Sequence, residues 1–297
     1  MRVVVAADAM AGLTPADASA LIAGQFAERG AVPAVVPLAV TGDALAHAVA
    51  TAAPGAPFAR PADAVELGRA LADADGDLVV DLTACRVADL GRGVLDAFAD
   101  DPVEAVAVAR QAWSGRRLVA LVEDGQQERP LTGLTGLAAT EGREHGADLA
   151  DVLAADAVAG RWATSLGLTA QPGAGAAGGA GLLLQAMGAV ITDPLTFLVE
   201  HYGLAGTMAQ ADLVVTGAHM LDFHAVGGPV VKRIVGMAGE ALRPVIAIVG
   251  RNYVSSRELR LAGLEAAYPV LAGAGDDIAT PGQVAEVAER VARTWSW

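Results

Sequence analysis

Short apolar runs rich in β-branched residues alternate with helix signals from the first residues of the chain onward. The run at residues 3–7 is followed by Thr14 and Pro15, which suit the cap and the first turn of a helix. Strands that are buried on both faces and separated by helices form parallel sheets, because parallel neighbours need long connections. The alternation therefore predicts an α/β fold in which helices cover both faces of a mostly parallel sheet.

The same alternation occupies both ends of the chain, whereas the middle is less regular. Three prolines within residues 53–63 mark a candidate boundary. We therefore predict that residues 1–56 and 205–297 form a discontinuous parallel-sheet domain of the Rossmann or flavodoxin type. Residues 57–204 are predicted to form an inserted α/β domain with a glycine-rich segment. Within the insert, the polar and glycine-rich residues 124–147 suit a long functional loop.

The charge of the chain restricts its partners. Its 20 lysine and arginine residues are outnumbered by 34 acidic residues, the formal net charge is −14, and Lys232 is the only lysine. An acidic surface without a basic cluster repels nucleic acid and anionic membranes. No run approaches the roughly 18 apolar residues of a membrane span, and the apolar start is too short for a signal peptide. We therefore expect a cytoplasmic protein with neither nucleic acid nor membrane as a partner.

Three turns that follow predicted strands carry the polar residues best suited to chemistry. They lie at residues 8–15, 217–228 and 250–253. Ligands of open α/β sheets bind beyond the carboxyl ends of the strands. We therefore expect the three turns to line one crevice.

Asp8 and Asp222 follow two of these strands. Each carboxylate could hold Mg²⁺ or accept the proton of a substrate hydroxyl, which are two tasks in phosphoryl transfer. Asp8 could instead hydrogen-bond its own turn. Arg251, in the third turn, could pair with a carboxylate or phosphate, or it could be a solvated surface residue.

A short run with histidines follows the later strand. His219, Asp222 and His224 form an H-x-x-D-x-H pattern, and metals do bind such side chains. The spacing matches no strong metal signature, and only His219 and Asp222 would share a face on a helix. The pattern therefore assigns no metal, and any metal ligands are unknown at this point.

A glycine-rich segment occupies residues 171–181, and residues 173–178 fit G-x-G-x-x-G. A dinucleotide fingerprint needs a strand directly before it, and residues 168–172 are a poor strand. A second interpretation places a phosphate or carboxylate on the helix start at Gly179. A third is a closely packed helix entry that binds no ligand.

Taken together and in this order, these segments resemble the type I glycerate kinases over nearly the whole chain. Members of that family open with a strand and a turn Asp-Ser-Phe-Lys-Gly-Ser; here residues 8–13 read DAMAGL, with Ala11 in place of the lysine. Residues 211–217, ADLVVTG, closely match a later landmark. The family continues there with Glu-Gly-Arg-Leu-Asp, whereas residues 218–222 read AHMLD.

The resemblance implies transfer of phosphate from ATP to glycerate or a related small hydroxy acid, with Mg²⁺. On this basis Asp8 and Asp222 are the predicted catalytic residues. The predicted residues for binding substrate or phosphate are Gly12, Gly178, Gly179, Gly217 and Arg251. The expected partner is a small-molecule substrate or nucleotide, and a homodimer is an option.

Several charged residues of the family motifs are replaced in this chain, namely two lysines, an arginine and at least one glutamate. Cations that neutralise a transferring phosphoryl group contribute strongly to the rate. Two hypotheses follow: a divergent kinase, or a catalytically inactive pseudoenzyme that binds a ligand or a partner protein. A third is an unrelated α/β enzyme, such as a dehydrogenase that uses residues 173–178.

Overall fold

The computed structural model describes residues 1–222 and 226–296 and has a mixed α/β architecture. The strands, in chain order, are β1 (Arg2–Ala7), β2 (Val32–Val35), β3 (Phe58–Ala59), β4 (Leu78–Asp81), β5 (Leu118–Leu121), β6 (Val190–Thr192), β7 (Leu213–Leu221), β8 (Val245–Asn252) and β9 (Ala266–Pro269). Every pairing between these strands is parallel. The predicted α/β class with parallel sheets is confirmed.

The α-helices lie between the strands and at the end of the chain. They are α1 (Pro15–Ala27), α2 (Gly42–Ala52), α3 (Ala64–Asp73), α4 (Arg92–Leu95), α5 (Pro102–Ala112), α6 (Leu137–His145), α7 (Leu149–Ser165), α8 (Gly181–Ala186), α9 (Pro194–His201), α10 (Leu204–Ala209), α11 (Gly228–Glu240), α12 (Ser256–Leu261) and α13 (Pro281–Trp295). Within the described ranges, none of these helices is both long enough and apolar enough to cross a membrane. The cytoplasmic location expected from the sequence stays a prediction.

The chain divides into two compact units. The first comprises Met1–Pro54 and Leu195–Trp297, and the second comprises Gly55–Pro194. Each unit has its own sheet. The domain boundaries expected from the sequence, after residues 56 and 204, stay a prediction.

The sheet of the first unit has the strand order β2-β1-β7-β8-β9. Numbered within the unit, this order is 2-1-3-4-5, the flavodoxin-like arrangement of a doubly wound sheet. The direction of strand addition reverses between β1 and β7, where Ala7 pairs with Gly217. Ligands of such sheets bind at the carboxyl ends of the two strands that flank the reversal.

Apolar side chains on one face of this sheet pack against α1 and α13. Helix α13 buries a stripe at helical spacing, formed by Val284, Val287, Ala288, Val291 and Ala292. These residues share one core with Ile22 and Phe26 of α1 and with buried valines and isoleucines of β1, β7 and β8. The packing fixes α1 against the sheet, and the turn that leads into α1 is fixed with it.

The sheet of the second unit has the strand order β3-β4-β5-β6, which follows the chain without a reversal. Its core includes Leu67, Leu118 and the fully buried Trp113. The guanidinium of Arg116 lies 4.4 Å from the centre of the Trp113 ring and donates from Nε to the carbonyl of Gly76 at 3.1 Å. This unit is therefore a second parallel α/β layer with a core of its own.

Part of the predicted loop at residues 124–147 is helical, so that prediction was wrong for α6. Only Leu137 and Gly142 of α6 are buried, so the sequence has little of the apolar periodicity that marks a helix. A Cβ atom at Gly142 would lie 2.4 Å from a methyl group of Val152 on α7. The close approach of α6 to α7 thus depends on the contact between Gly142 and Val152, which the apolar periodicity of α6 does not reveal.

Candidate functional site

The candidate site lies at the reversal in the first sheet, where β1 ends and β7 continues. The amide of Ala7 donates to the hydroxyl oxygen of buried Ser19 at 3.1 Å. The amide of Asp8 donates to the carbonyl of Gly217 at 3.0 Å. These two hydrogen bonds attach the start of the turn to α1 on one side and to β7 on the other.

The turn itself closes over residues 8–14. The amide of Leu13 donates to the carbonyl of Met10 at 2.8 Å, and the Thr14 hydroxyl accepts from the amide of Asp17 at 3.1 Å, which caps α1. Gly12 has φ 75°, and nothing lies within 4 Å of the Cβ that an alanine would add there. Backbone conformation therefore explains this glycine. Ala11 shares the left-handed region, with φ 54°, at a cost of about 1–2 kcal/mol.

Asp8 is half-buried at the mouth of this turn. Burial raises the pKa of its carboxyl group, and a hydrogen bond from the backbone amide of Ala9 partly opposes that rise. The amide of Ala9 donates to Asp8 Oδ1 at 2.7 Å. Asp8 thus hydrogen-bonds its own turn, as the alternative interpretation had it, and also lies at the predicted ligand-binding edge.

Gly217 packs tightly under the turn. A Cβ atom there would lie 3.0 Å from Cβ of Ala7, 3.1 Å from the carbonyl oxygen of Ile248 and 3.2 Å from the sulfur of Met10. These approaches leave no comfortable space for a side chain. Gly217 therefore allows the turn to lie against β7, and its predicted role in binding substrate stays a prediction.

Asp222 lies further along the same edge. Asp8 is one residue past Ala7, and Asp222 is five residues past Gly217, the partner of Ala7 in the pairing of β1 with β7. The difference of four residues corresponds to about 13 Å along the strand. Both acids thus lie at the carboxyl edge of the sheet, but they differ in position along the strand direction.

The histidine pattern is only partly described. His219 is exposed near the end of β7 and Asp222 is half-buried, while His224 lies outside the described residues. Over residues 1–222 and 226–296, no group of three or more histidine, cysteine or acidic side chains is arranged to hold a metal ion.

Arg251, in β8, is only 8% exposed. Its guanidinium donates to the carbonyls of Ala272 at 3.3 Å and Gly273 at 2.7 Å, and to that of Asp277 at 3.3 Å. These contacts tie down the loop that precedes α13. The role of Arg251 in binding a phosphate stays a prediction, and the backbone contacts account for its burial.

A surface cavity of about 440 Å³ lies beside the turn. Its walls are residues 9–14 of the turn, Ala44 and His47 of α2, His219 of β7, and Ile278. Most of this lining is apolar. Sequence reasoning missed His47, because nothing in its local sequence shows that α2 brings it to the end of β1.

Residues 119–296 match the model of the glycerate kinase family, which is more than half of the 297 residues. This chain belongs to the glycerate kinase family. The family resemblance inferred from the sequence is confirmed.

Curated relatives of this family member match over part of their length. An uncharacterized protein of Mycobacterium bovis and one of Mycobacterium tuberculosis are each 34% identical over 163 residues, which is 53% of this chain and 43% of each relative. A glycerate kinase of Bacillus subtilis is 33% identical over 176 residues, which is 56% of this chain and 45% of its own length. The matched region thus spans less than half of these relatives.

A solved structure from Salmonella typhimurium LT2, named “putative glycerate kinase 2”, matches over 99% of this chain and 98% of its own. The TM-score is 0.69 and the sequence identity is 22%. At 22% identity, the structural likeness shows a shared fold and nothing further.

The glycine-rich segment of this glycerate kinase family member lies in the second unit. Added Cβ atoms would lie 2.2 Å from the carbonyl oxygen of Pro130 at Gly175, 2.0 Å from that of Val87 at Gly178, and 2.9 Å from a methyl group of Leu90 at Gly179. The described residues 166–176 include no strand, so the G-x-G-x-x-G pattern lacks the strand that a dinucleotide fingerprint requires. Close packing explains these glycines. A role of Gly178 and Gly179 in binding phosphate stays a prediction.

Proposed function

We propose that this chain is a divergent glycerate kinase, which transfers phosphate from ATP to a hydroxyl group of glycerate or a related small hydroxy acid. The observation that carries the proposal is the position of Asp8. It lies at the reversal point of a flavodoxin-like sheet, in a turn fixed to β7 by the hydrogen bond to Gly217. Family membership supplies the reaction class.

Asp8 is the proposed general base. Since burial raises the pKa of its carboxyl group, the carboxylate is a better proton acceptor than an ordinary aspartate near neutral pH. It would take the proton from the substrate hydroxyl as that oxygen attacks the terminal phosphorus of ATP. The bond from that phosphorus to the bridging oxygen breaks, and ADP leaves.

Asp222 is the proposed ligand of Mg²⁺. The separation of about 13 Å along the strand argues against one ion shared by Asp8 and Asp222. The donor set still fits, because Mg²⁺ is commonly held by one or two carboxylates together with the phosphates of the nucleotide. When bound, the ion would neutralise charge on those phosphates.

The pseudoenzyme hypothesis also has an observation in its favour. Ala11 occupies the position of the family lysine, and Met10, Ala11 and Ala218 are buried apolar residues around the turn. None of them can stabilise the charge of a phosphoryl group. Ligand binding without turnover would support this alternative.

The deciding experiment measures ADP release by the purified protein with ATP, Mg²⁺ and a panel of small hydroxy acids. We expect turnover that depends on the hydroxy acid and falls about 100-fold or more in Asp222→Asn. Asp100→Asn is the matched control, since Asp100 is exposed in the second unit. ADP release no faster than in the absence of protein would exclude the kinase proposal.

The homodimer that the sequence left open also stays a prediction. Size-exclusion chromatography with light scattering tests it directly, because the mass of one chain is 29.8 kDa.

A further inference from the structure

Two histidines from distant parts of the chain line the cavity beside the turn. His47 comes from α2 and His219 from β7, and both border the same space of about 440 Å³. Over the described residues, neither imidazole makes a hydrogen bond or an ion pair with a protein group. Both side chains are exposed, so both can reach a ligand in the cavity.

The rest of the lining offers little to a charged ligand. Ala9, Met10, Ala11, Leu13, Ala44 and Ile278 are apolar. The hydroxyl of Thr14 donates to the carboxylate of Asp17 at 2.7 Å and so is already engaged. Among the described residues of the lining, the two imidazoles are therefore the only side chains that can become positively charged.

The charges around the cavity bear on whether this histidine pair can bind an anion. The ionisable side chains next to the lining on the same elements are acidic, namely Asp8, Asp17, Asp43, Asp222, Asp276 and Asp277. The nearby cation Arg251, on the adjacent strand β8, is buried and donates to the carbonyls of Ala272, Gly273 and Asp277. Carboxylates around a cavity repel an anion. An anionic ligand needs positive charge or strong donors in the cavity, and protonated imidazoles provide both.

We propose that His47 and His219 form an anion-binding pair that holds an oxyanion of the substrate, either the carboxylate of the hydroxy acid or a phosphate of the nucleotide. This inference rests on the proposed function and adds two binding residues to it. The pair supplies cationic donors next to Ala11, which cannot supply any. Binding should therefore strengthen as the pH falls through the range in which imidazole gains a proton.

The test uses NMR of the histidine ring C–H groups, because the chain has only five histidines. Sulfate is the first probe, since it stays doubly charged between pH 6 and pH 8. We expect the ring signals of His47 and His219 to shift on titration at pH 6 and much less at pH 8. Those of His145 and His201, which lie outside the cavity lining, should stay in place.

Variants then measure the size of the effect. His47→Gln and His219→Gln each keep a hydrogen-bonding side chain but lose the charge, and each should weaken sulfate binding about tenfold at pH 6, as expected for one lost charge-assisted hydrogen bond. His145→Gln is the matched control. Parallel titrations with ADP and with glycerate show whether the phosphate or the carboxylate is the natural occupant.

The outcomes separate this inference from the proposed function. Shifts with sulfate but no ADP release in the turnover assay would support the histidine pair and exclude the kinase. Turnover that both variants retain, with ring signals unmoved by sulfate, ADP and glycerate, would overturn the histidine pair and leave the kinase standing.

Discussion

The carboxyl ends of the two sheets differ, although both sheets are parallel and covered by helices. In the second unit several polar groups at this edge bond to one another. Asp81 accepts from the amide and the hydroxyl of Thr83 at 3.0 and 2.7 Å and lies 3.5 Å from Arg60. The side-chain oxygen of Gln126 accepts from the amide of Ala177 at 2.8 Å.

In the first unit the corresponding edge lies beside a cavity. The strand order reverses between β1 and β7, and the turn after β1 borders that cavity with Met10 and Leu13. Cavities also border the segments after β4 and β5 in the second unit, so the reversal in strand order is what distinguishes the first edge. Where the strand order reverses, the connections that follow the two neighbouring strands run to opposite faces of the sheet and leave a crevice at the strand ends. A sequential strand order leaves no such crevice.

The strongest test of this comparison substitutes one aspartate at each edge. Asp8→Asn should lower turnover by about 100- to 10,000-fold, because the amide cannot accept the proton of the substrate hydroxyl. Asp81→Asn should leave the turnover of folded protein unchanged and lower the free energy of unfolding by about 1–3 kcal/mol, because it weakens a buried hydrogen-bonded pair. Equal losses of turnover would remove the distinction between the two edges.

Asp8→Asn also has a stability effect with a definite sign. Burial raises the pKa of Asp8 above its ordinary value of 3.8, so folding favours the protonated form. The stability of the folded state therefore falls as the pH rises from the ordinary pKa through the folded-state pKa, and the full cost of the ionised carboxylate remains at higher pH. Thermal unfolding should show Asp8→Asn to be more stable than the natural chain at pH 7, with the difference shrinking towards pH 3.

A second pair of substitutions compares glycines in the two units. Gly178→Ala places a Cβ atom 2.0 Å from a backbone oxygen, at φ 62°, and should cost about 3 kcal/mol or more through overpacking and strain. Gly12→Ala meets no neighbour within 4 Å and should cost only about 1 kcal/mol through its positive φ. Urea unfolding measures both. A larger loss in Gly12→Ala would contradict the packing explanation of the glycine-rich segment.

The sequence predicted the elements whose patterns are local. Residues 3–7 form most of β1, because continuous β-branched runs suit buried strands. Strands β3 and β6 have two and three residues and are not fully buried, so they leave no such run. Helix α6 was missed for the similar reason that its exposed surface is polar.

Only those residues of the candidate site that lie at the ends of strands could be predicted from the sequence. Asp8 and Gly217 lie at strand ends, and the rule for parallel sheets places them together. His47 enters through the packing of α2, and Arg251 is buried by the carbonyls of a loop more than 20 residues later. Such tertiary contacts have no local signature, so the sequence left open whether Arg251 pairs with an anion or is a solvated surface residue.

The smallest expected effect concerns two buried hydroxyl groups near the turn. Ser19 and Thr216 are both fully buried. The hydroxyl oxygen of Ser19 accepts from Ala7 at 3.1 Å, whereas that of Thr216 has no hydrogen-bond partner in the described part of the chain. The two positions therefore separate the value of a satisfied hydroxyl from the cost of an unsatisfied one.

Ser19→Ala should lower the free energy of unfolding by about 1–2 kcal/mol, because it leaves the amide of Ala7 buried without an acceptor. Thr216→Val replaces an unsatisfied hydroxyl by a methyl group of similar size and should raise the free energy by up to about 1 kcal/mol. Urea unfolding of both variants gives the comparison. A loss of stability in Thr216→Val would mean that its hydroxyl finds a partner in solution.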